Sequence, residues 1–212
     1  VLEIGCGMGT MAMNWCQHGA RIIAVDLNPV AVAQTAQRFK LFGLDALVLQ
    51  VDANRLCCNN DTFDYVYSWG VLHHSPNLER SIDELFRVLR PGGEFGVMLY
   101  HRDSILYRYL IRYIEGFLHA ESRFLGPLQL ASRYTDGARE EGNPHTWPIT
   151  RQEGRDLFSP YCSDPKIQVL GTDLDSSLQW LLPWFGGRLP RLVKKTWARR
   201  WGWSLWITGK KR

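Results

Sequence analysis

The feature that most constrains this chain is an apolar tetrapeptide followed at once by alternating glycines. Val1-Leu2-Glu3-Ile4 is typical of a short buried strand, and Gly5-Cys6-Gly7-Met8-Gly9 follows before a helical segment begins near Thr10. Glycine lets the backbone turn tightly and lets a ligand approach, while the first turn of a helix offers unpaired N–H groups. The sequence therefore predicts a ligand-binding turn between the first strand and the first helix.

Strand-like and helix-like segments alternate over the first 100 residues. Apolar runs at 1–4, 21–26, 46–51, 63–68 and 94–100 predict strands, and the segments 10–18, 28–42 and 78–89 predict helices. Asn28 is a suitable N-cap for the second helix, since Pro29 can occupy its first position. This alternation with short connections predicts a parallel sheet covered by helices on both faces. Segments at 166–171 and 203–208 predict two further strands.

Length and composition narrow the class of protein. The 212 residues are 45% hydrophobic and 22% charged, which is typical of a globular domain rather than of a disordered chain. No apolar run approaches the roughly 18 residues that a membrane-spanning helix needs, and the sequence contains no signal-peptide pattern. Because a domain seldom starts on a central strand, we expect an N-terminal segment to precede Val1 in the full protein.

The cysteines predict free thiols. They are odd in number and lack the spacing of a disulfide framework or of a paired metal site. Reduced thiols are typical of the cytoplasm, so we expect a cytoplasmic protein with no metal ion. The cysteines are Cys6, Cys16, Cys57, Cys58 and Cys162.

Positive charge is concentrated near the C-terminal end. After Asp175 there is no acidic residue, and the last 37 residues carry nine lysines and arginines. Three interpretations of this basic tail stay open: a helix packed between the last two strands, a helix lying on an anionic membrane, or a helix along RNA phosphates. The apolar face predicted from helical spacing consists of Leu189, Leu192, Val193, Thr196 and Trp197.

The glycine turn admits two kinds of ligand, and nearby carboxylates discriminate between them. Residues 7–12 fit the dinucleotide fingerprint G-x-G-x-x-A, but Gly5 already occupies the place of its first glycine. Asp26 and Asp52 end the second and third strands, and Glu3 lies just before the turn. Parallel strands end at one edge of the sheet, where α/β folds bind ligands. Acids there suit a cationic nucleoside and repel a pyrophosphate; strand-end capping without any ligand is the alternative.

Six segments of the chain match the motifs of one known family. They are VLEIGCGMG at 1–9, VDLNP at 25–29, VDA at 51–53, FDYVYS at 63–68, GVLHH at 70–74 and RVLRPGG at 87–93. Together they resemble the class I S-adenosylmethionine-dependent methyltransferases of the small-molecule branch, densely over residues 1–100 and thinly beyond. The resemblance implies an α/β, Rossmann-like, doubly wound seven-stranded sheet with an antiparallel last strand, and S-adenosyl-L-methionine as the cofactor.

The resemblance also implies a role for each matching residue. The glycines would hold the amino-acid end of the cofactor, with Glu3 shaping the turn and meeting the amino group through water. Asp26 would accept hydrogen bonds from the ribose hydroxyls, with Leu27 against the adenine ring. Asp52 would accept from the adenine amino group, and Ala53 would contact the ring edge. The implied cofactor-binding residues are Glu3, Gly5, Cys6, Gly7, Gly9, Asp26, Leu27, Asp52, Ala53, Ser68 and Trp69, the last two at the methionine end.

Two adjacent histidines are the candidates for catalysis. Methyl transfer is an in-line displacement at a sulfonium carbon, so position and desolvation matter more than any single catalytic group. His73 and His74 follow the fourth strand at the expected cofactor edge, where an imidazole could take a proton from the acceptor. Support of the loop by packing is the alternative role for both.

The segment after the fifth strand is the candidate acceptor side. A helix predicted over 105–118 places Arg108 and Arg112 on one face, with apolar residues opposite. A solvated face on a packed helix and a lid over the acceptor are the two interpretations. Asp136, His145 and Trp147 could also reach an acceptor, and turn chemistry explains them equally well.

These observations predict one methyltransferase domain over 1–212. We expect a cofactor-binding half at 1–100, an acceptor-side insertion at 101–165, and the last two strands with the basic insertion at 166–212. The expected function is methyl transfer to a small-molecule acceptor, at oxygen or nitrogen. The alternatives are a methyltransferase for a lipid or quinone at an anionic membrane surface, an RNA methyltransferase, and a cofactor-binding partner subunit without activity.

Overall fold

The computed structural model describes residues 1–135, 143–171 and 189–212. Seven strands occur in this part of the chain: β1 Leu2–Ile4, β2 Ile23–Asp26, β3 Leu47–Gln50, β4 Phe63–Trp69, β5 Leu89–Tyr100, β6 Lys166–Leu170 and β7 Ser204–Lys210. The longer helices of this part are α1 Thr10–Gln17, α2 Pro29–Leu41, α3 Leu78–Val88, α4 Leu106–Leu118, α5 Pro127–Tyr134, α6 Arg151–Phe158 and α7 Arg191–Trp201. Of these, α4 has the hydrogen bonding of a π-helix, and short 3-10 helices lie at Leu72–His74 and Glu121–Arg123. The strands and helices predicted from the sequence are all present, with ends that differ by a few residues.

The strands form one sheet in the order β3-β2-β1-β4-β5-β7-β6. The strand β1 pairs in parallel with both β2 and β4, and β2 pairs in parallel with β3. The last strand runs the other way: the backbone N–H of Gly92 donates to the carbonyl of Lys211, while the N–H of His101 donates to the carbonyl of Trp203. The start of β5 therefore lies beside the end of β7, which confirms the expected seven-stranded sheet with an antiparallel last strand.

The chain divides into two compact units, and β5 and β7 contribute residues to both. The first consists of Val1–Val97, Phe158–Pro165 and Thr208–Arg212, and the second of Met98–Leu157 and Lys166–Ile207. One cluster of the first unit buries Ala12, Ile22, Ala24 and Phe39 between α1, α2 and the sheet. The core of the second unit consists of Met98, Tyr100, Tyr107, Ile111, Leu130, Ala131 and Trp203.

Local signals explain where α2 begins and ends. The side chain of Asn28 accepts a hydrogen bond from the backbone N–H of Val30 at 2.9 Å, and Pro29 occupies the first helical position. Gly43, just past the end of the helix, has a φ of +61°, which glycine adopts without a steric penalty. The predicted N-cap is confirmed.

The strand β5 begins five residues earlier than the sequence predicts, at Leu89 rather than at Glu94. The segment RPGG was expected to be a turn that closes α3. Instead, Lys211 pairs with this segment: its N–H donates to the carbonyl of Gly93, and its ammonium donates to the carbonyl of Leu89. The extended conformation thus depends on a partner from the other end of the chain, which local propensity does not reveal.

The predicted apolar residues of α7 are only partly confirmed. Leu189, Val193 and Trp197 are half-buried as predicted, whereas Leu192 is 79% exposed and Thr196 is exposed as well. A Cβ atom on Gly171 would lie 2.7 Å from the Cα of Ala198, so the helix sits tightly against the residue that follows β6. The helix lies between β6 and β7 in the chain, and the prediction is wrong at Leu192 and Thr196.

The helix α4 follows the predicted pattern on one side only. Tyr107 and Ile111 are buried in the second unit, as expected for the apolar face. Tyr109 and Tyr113, however, lie exposed among the arginines. The expectation that apolar residues would be confined to the face opposite Arg108 is therefore wrong.

Two properties of the whole described chain bear on its class. All five cysteines are free thiols, as predicted. Among the described residues, no helix is both long enough and apolar enough to cross a bilayer.

Candidate functional site

The strand register brings the predicted site residues to one edge of the sheet. Ile4, the last residue of β1, pairs with Val25 on one side and with Ser68 on the other. Asp26 at the end of β2 pairs with Gln50 at the end of β3. The residues that follow these four strands are therefore neighbours, as predicted for acids at the ends of parallel strands.

The glycine turn needs its glycines for two different reasons. Gly5, Gly7 and Gly9 have φ values of +80°, +52° and +72°, a region that residues with a Cβ rarely adopt. A Cβ on Gly5 would lie 2.7 Å from the Cβ of Val71, and one on Gly9 would lie 2.5 Å from a methyl group of Thr35. At Gly7 the same position has no atom within 4 Å. Packing thus demands Gly5 and Gly9, whereas Gly7 faces open space in which a ligand fits.

Asp26 connects the glycine turn to the turn before α2. Its Oδ2 accepts a hydrogen bond from the backbone N–H of Gly7 at 2.8 Å, and its Oδ1 accepts one from the N–H of Asn28 at 2.9 Å. Each carboxylate oxygen can accept a further hydrogen bond, so the group can also bind a pair of hydroxyls. The adjacent Leu27 is 64% exposed and offers an apolar surface to a ring.

The second carboxylate is held by a residue that the sequence reasoning missed. Asn54 donates to Oδ1 of Asp52 through both its backbone N–H, at 2.8 Å, and its side-chain amide, at 3.0 Å. The same amide also donates to the hydroxyl of Ser75. The spacing Asp-x-Asn is that of an Asx-turn, which was the available signal. Asp52 is exposed, and Ala53 beside it is half-buried.

Thr35 supports the turn from beneath, and the sequence reasoning missed it too. Its buried hydroxyl donates to the carbonyl of Gly7 at 2.8 Å and lies 3.9 Å from the sulfur of Cys6. Cys6 packs into the apolar cluster of the first unit, and burial raises its pKa to about 11. Cys6 can therefore face a ligand only through its backbone. The signal for Thr35 was its position four residues before the buried Phe39 on the inner side of α2.

An ion pair on α3 holds the loop that follows β3. Glu84 accepts a hydrogen bond from the backbone N–H of Leu56, and the guanidinium of Arg87 donates to Glu84 and to the carbonyls of Leu56 and Cys58. The hydrogen bond from Arg87 lowers the pKa of Glu84. The sequence reasoning noted Arg87 only as part of a motif and missed Glu84.

Glu3 is a buried carboxyl group without a complete set of partners. It is 4% exposed, and among the described residues its Oε2 has no hydrogen-bond donor. Burial raises its pKa to about 7, although a backbone hydrogen bond from Ala12 acts in the opposite direction, and the nearby Asp26 raises it further. An unpartnered carboxyl group beside a second carboxylate is a site that a cation would stabilise.

The remaining predicted residues differ in how far their side chains are exposed. Ser68 is buried and its hydroxyl donates to the carbonyl of Ile4, so this side chain supports β1. Trp69 is exposed beside it. His73 is fully buried, whereas His74 is half-buried, with the two ring centroids 4.3 Å apart. Of the two histidines, His74 is the one with a surface that an acceptor could meet.

The other candidates do not belong to the described part of the first unit. His145 and Trp147 belong to the second unit. Asp136 lies outside the described residues. The first unit alone therefore contains every residue that the sequence predicts to bind the cofactor.

The residues of this site fit S-adenosylmethionine. Its sulfonium and ammonium charges match the three carboxylates, its hydroxyls match Asp26, and its adenine matches the exposed Leu27. The open side of Gly7 leaves room for the ligand backbone that a Cβ would fill. A pyrophosphate would instead face Glu3 and Asp26 with like charge.

Comparison with known proteins gives the same result. Residues 1–93 match the family described as a methyltransferase domain. A sterol 4-C-methyltransferase of Caenorhabditis elegans is 30% identical over 96 residues, covering 44% of this chain and 29% of the relative. A phthiotriol/phenolphthiotriol dimycocerosates methyltransferase of Mycobacterium leprae is 36% identical over 95 residues, covering 44% and 34%. The chain thus spans about a third of the length of these two relatives.

The fold extends the likeness to the whole chain. A solved S-adenosylmethionine-dependent methyltransferase of Methanosarcina mazei superposes with a TM-score of 0.65 at 19% identity, covering 99% of this chain and 91% of that one. At this identity the likeness concerns the fold alone. The family match over residues 1–93, the strand order and the glycine turn with its carboxylates agree, and this part of the chain is similar to the class I S-adenosylmethionine-dependent methyltransferases.

Proposed function

We propose that the chain transfers a methyl group from S-adenosylmethionine to a small apolar acceptor. The observation that carries this proposal is the buried carboxyl group of Glu3 next to Asp26 at the glycine turn, whose Oε2 has no hydrogen-bond donor among the described residues. Such a pair of acids is costly unless a positive charge joins it. Among nucleoside cofactors, S-adenosylmethionine supplies that charge.

In this proposal, different residues of the first unit bind different parts of the cofactor. Gly7 and the start of α1 receive the amino-acid end, with Glu3 facing its ammonium group. Asp26 receives the ribose hydroxyls, and Leu27 receives the adenine ring, whose amino group donates to Asp52. When bound, the cofactor supplies a methyl carbon that its sulfonium already activates. The chain itself contributes position and the exclusion of water.

We assign different roles to the two histidines. His74 is half-buried, so it could accept a proton from an acceptor hydroxyl or amine. His73 is fully buried against it and orients the neighbouring ring. His73 is therefore a positioning residue in this proposal.

Relatives indicate the chemical class of the acceptor. The two relatives described above are named for sterols and for phthiotriol dimycocerosates, which are lipids. We infer that the acceptor of this chain is lipid-like as well. Transfer to oxygen or nitrogen stays a prediction, because the name of the sterol enzyme specifies a carbon atom.

The helix α7 supports contact with an anionic bilayer. Arg191, Lys195 and Arg199 are exposed on it, and Leu192 is 79% exposed between them. Basic residues near an anionic bilayer each contribute about 1 kcal/mol of attraction. We therefore propose that this helix holds the protein at the membrane surface, where a lipid-like acceptor would be found.

Replacement of Gly7 by alanine should weaken cofactor binding without unusual loss of stability. The new Cβ would occupy the open side of the turn, and the φ of +52° makes it strained. Gly43→Ala is the matched control, since Gly43 has a similar φ of +61° and equally open space but lies at the end of α2. Each variant should lose roughly 1–2 kcal/mol of stability. Calorimetric titration with S-adenosylhomocysteine should show weakened binding for Gly7→Ala alone; equal affinities would remove Gly7 from the site.

The variant Asp26→Ala should weaken binding of S-adenosylmethionine by roughly ten-fold to several hundred-fold, because charge-assisted hydrogen bonds to the ribose are lost. Asp64→Ala is the control, since Asp64 lies at the start of β4 and is largely exposed beside Arg90. Both affinities are measured by calorimetry on variants whose melting temperatures have been recorded. Unchanged affinity in a folded Asp26→Ala protein would contradict the assignment.

Cofactor affinity should depend on pH through Glu3. The pKa of Glu3 in the free chain is about 7, so the carboxyl group is protonated at lower pH. A bound cation favours the ionised form, and binding therefore releases a proton below pH 7. Affinity for S-adenosylmethionine should rise between about pH 5 and pH 7, by up to about ten-fold per unit, and then level off. The profile of Glu3→Gln should be flatter; an unchanged profile would exclude Glu3 as its cause.

Methyl transfer itself is tested with methyl-labelled S-adenosylmethionine and a panel of acceptors comprising sterols, phenolic lipids, hydroquinones, small amines and a homopolymer RNA. We expect label in the organic extract, and none with Asp26→Ala. His74→Ala should slow turnover with little change in cofactor affinity. Label found only in precipitated RNA would favour an RNA methyltransferase. Tight binding of S-adenosylhomocysteine with no labelled product would favour a partner subunit.

A further inference from the structure

The second unit displays an aromatic surface that its core does not use. Of the large apolar side chains exposed among the described residues, six lie between positions 109 and 128. Three of them form a row along α4 at a spacing of four residues: Tyr109, Tyr113 and Phe117 are 46%, 45% and 70% exposed. We name these three residues the aromatic face of α4.

The aromatic face is a continuous ladder of rings. The ring centroids of Tyr109 and Tyr113 lie 5.4 Å apart, and those of Tyr113 and Phe117 lie 5.8 Å apart. The other side of the helix places Tyr107 and Ile111 in the core of the unit. The ladder therefore adds nothing to that core, and it exposes apolar area to water that burial against a partner would remove.

The segment after α4 extends the same surface. A Cβ on Gly116 would lie 2.6 Å from the hydroxyl of Ser122, so the turn at Glu121–Arg123 packs directly against α4 beside Phe117. Phe124, which follows this turn, is 85% exposed. Leu118 and Leu128 are exposed as well. These aliphatic side chains gain free energy only in an apolar environment, because they cannot stack on nucleic-acid bases as rings do.

Around the aromatic face, arginines outnumber acidic residues: Arg108, Arg112, Arg123 and Arg133 stand against Asp103, Glu115 and Glu121. Arg112 and Arg123 are exposed, and within residues 1–135, 143–171 and 189–212 neither pairs with a carboxylate. Arg108 lies 3.9 Å from Asp103 in a loose, exposed pair. The nearby acids are engaged elsewhere: Glu115 is bonded to His119 at 2.8 Å, and Glu121 lies against Arg133. An anionic partner complements this surface.

We propose that the aromatic face of α4 docks onto an anionic lipid bilayer, with its rings among the acyl chains and headgroups and with Arg108 and Arg112 on the phosphates. Tyrosine suits that depth because its ring is apolar and its hydroxyl is polar. Exposed aromatic residues combined with arginines on one helix are typical of interfacial helices.

This proposal goes beyond the proposed function, because it identifies a surface of the second unit that would bind the bilayer in which a lipid-like acceptor is dissolved. Its test needs neither cofactor nor acceptor. Failure of vesicle binding would leave methyl transfer standing, and failure of methyl transfer would leave vesicle binding standing.

The experiment is co-sedimentation of the full chain with vesicles of phosphatidylcholine alone and of phosphatidylcholine mixed with phosphatidylglycerol. The triple variant Tyr109→Ser, Tyr113→Ser, Phe117→Ser should lower the partition coefficient at least about ten-fold on both vesicles, because less apolar area is buried. The double variant Arg108→Gln, Arg112→Gln should lower it about thirty-fold on the anionic vesicles only. A second double variant, Lys195→Gln with Arg199→Gln, measures the separate contribution of α7.

The matched control is Leu41→Ser with Phe42→Ser, which removes two exposed apolar side chains at the end of α2 in the first unit. This control should bind vesicles as the original chain does. Circular dichroism and the melting temperature verify folding of every variant. Titration with S-adenosylhomocysteine then checks that the first unit, which contains the predicted cofactor-binding residues, is unchanged.

Three results would overturn the proposal. The first is equal vesicle binding by the triple variant and the original chain, or no vesicle binding by either. The second is a concentration-dependent dimer in sedimentation velocity that the triple variant abolishes without any vesicle binding, which would assign the face to a second copy. The third is binding of homopolymer RNA that depends on the same residues while vesicles are ignored.

Discussion

The carboxylate of Asp26 is the group on which the geometry of the site depends. It accepts backbone hydrogen bonds from Gly7 on one side and from Asn28 on the other, so it joins the glycine turn to the start of α2. Thr35 on that helix then returns a hydrogen bond to the carbonyl of Gly7. The backbone of Gly7 is thus held at its N–H by Asp26 and at its carbonyl by Thr35. A ligand therefore meets a preorganised backbone rather than a flexible loop.

Charge at this edge of the sheet sets what the turn can bind. The buried Glu3 lies close enough to Asp26 to feel its charge, and its pKa is about 7 as a result of burial first and of that charge in addition. Asp52 adds a third acid, held in place by Asn54. The loop that carries it is anchored by Glu84 and Arg87. A cation relieves the repulsion between Glu3 and Asp26, and this same repulsion argues against a dinucleotide.

The two units present surfaces of different chemistry. The first concentrates its acids around a preorganised turn, while the second exposes aromatic rings on α4 and basic side chains on α7. The proposed lipid-like acceptor would fit both surfaces, because a bilayer would hold the acceptor while carboxylates hold the methyl donor. The exposed rings of α4 lie outside the core of the second unit, so the proposed membrane contact and the proposed methyl transfer can be tested by separate substitutions.

The sequence by itself determined the order of strands and helices, the glycine turn, the acids at the strand ends and the motifs that resemble a methyltransferase. These depend on local periodicity and on short motifs such as Asn28-Pro29, whose cap is confirmed. The tertiary structure decided what lies beneath and beside them: that Thr35 and Asn54 hold the site, that His73 is buried while His74 is less so, that β5 starts at Leu89, and that Ala198 rather than Leu192 packs inward. Each of these depends on a partner distant in sequence, and local periodicity carries no information about which neighbour will cover a given face.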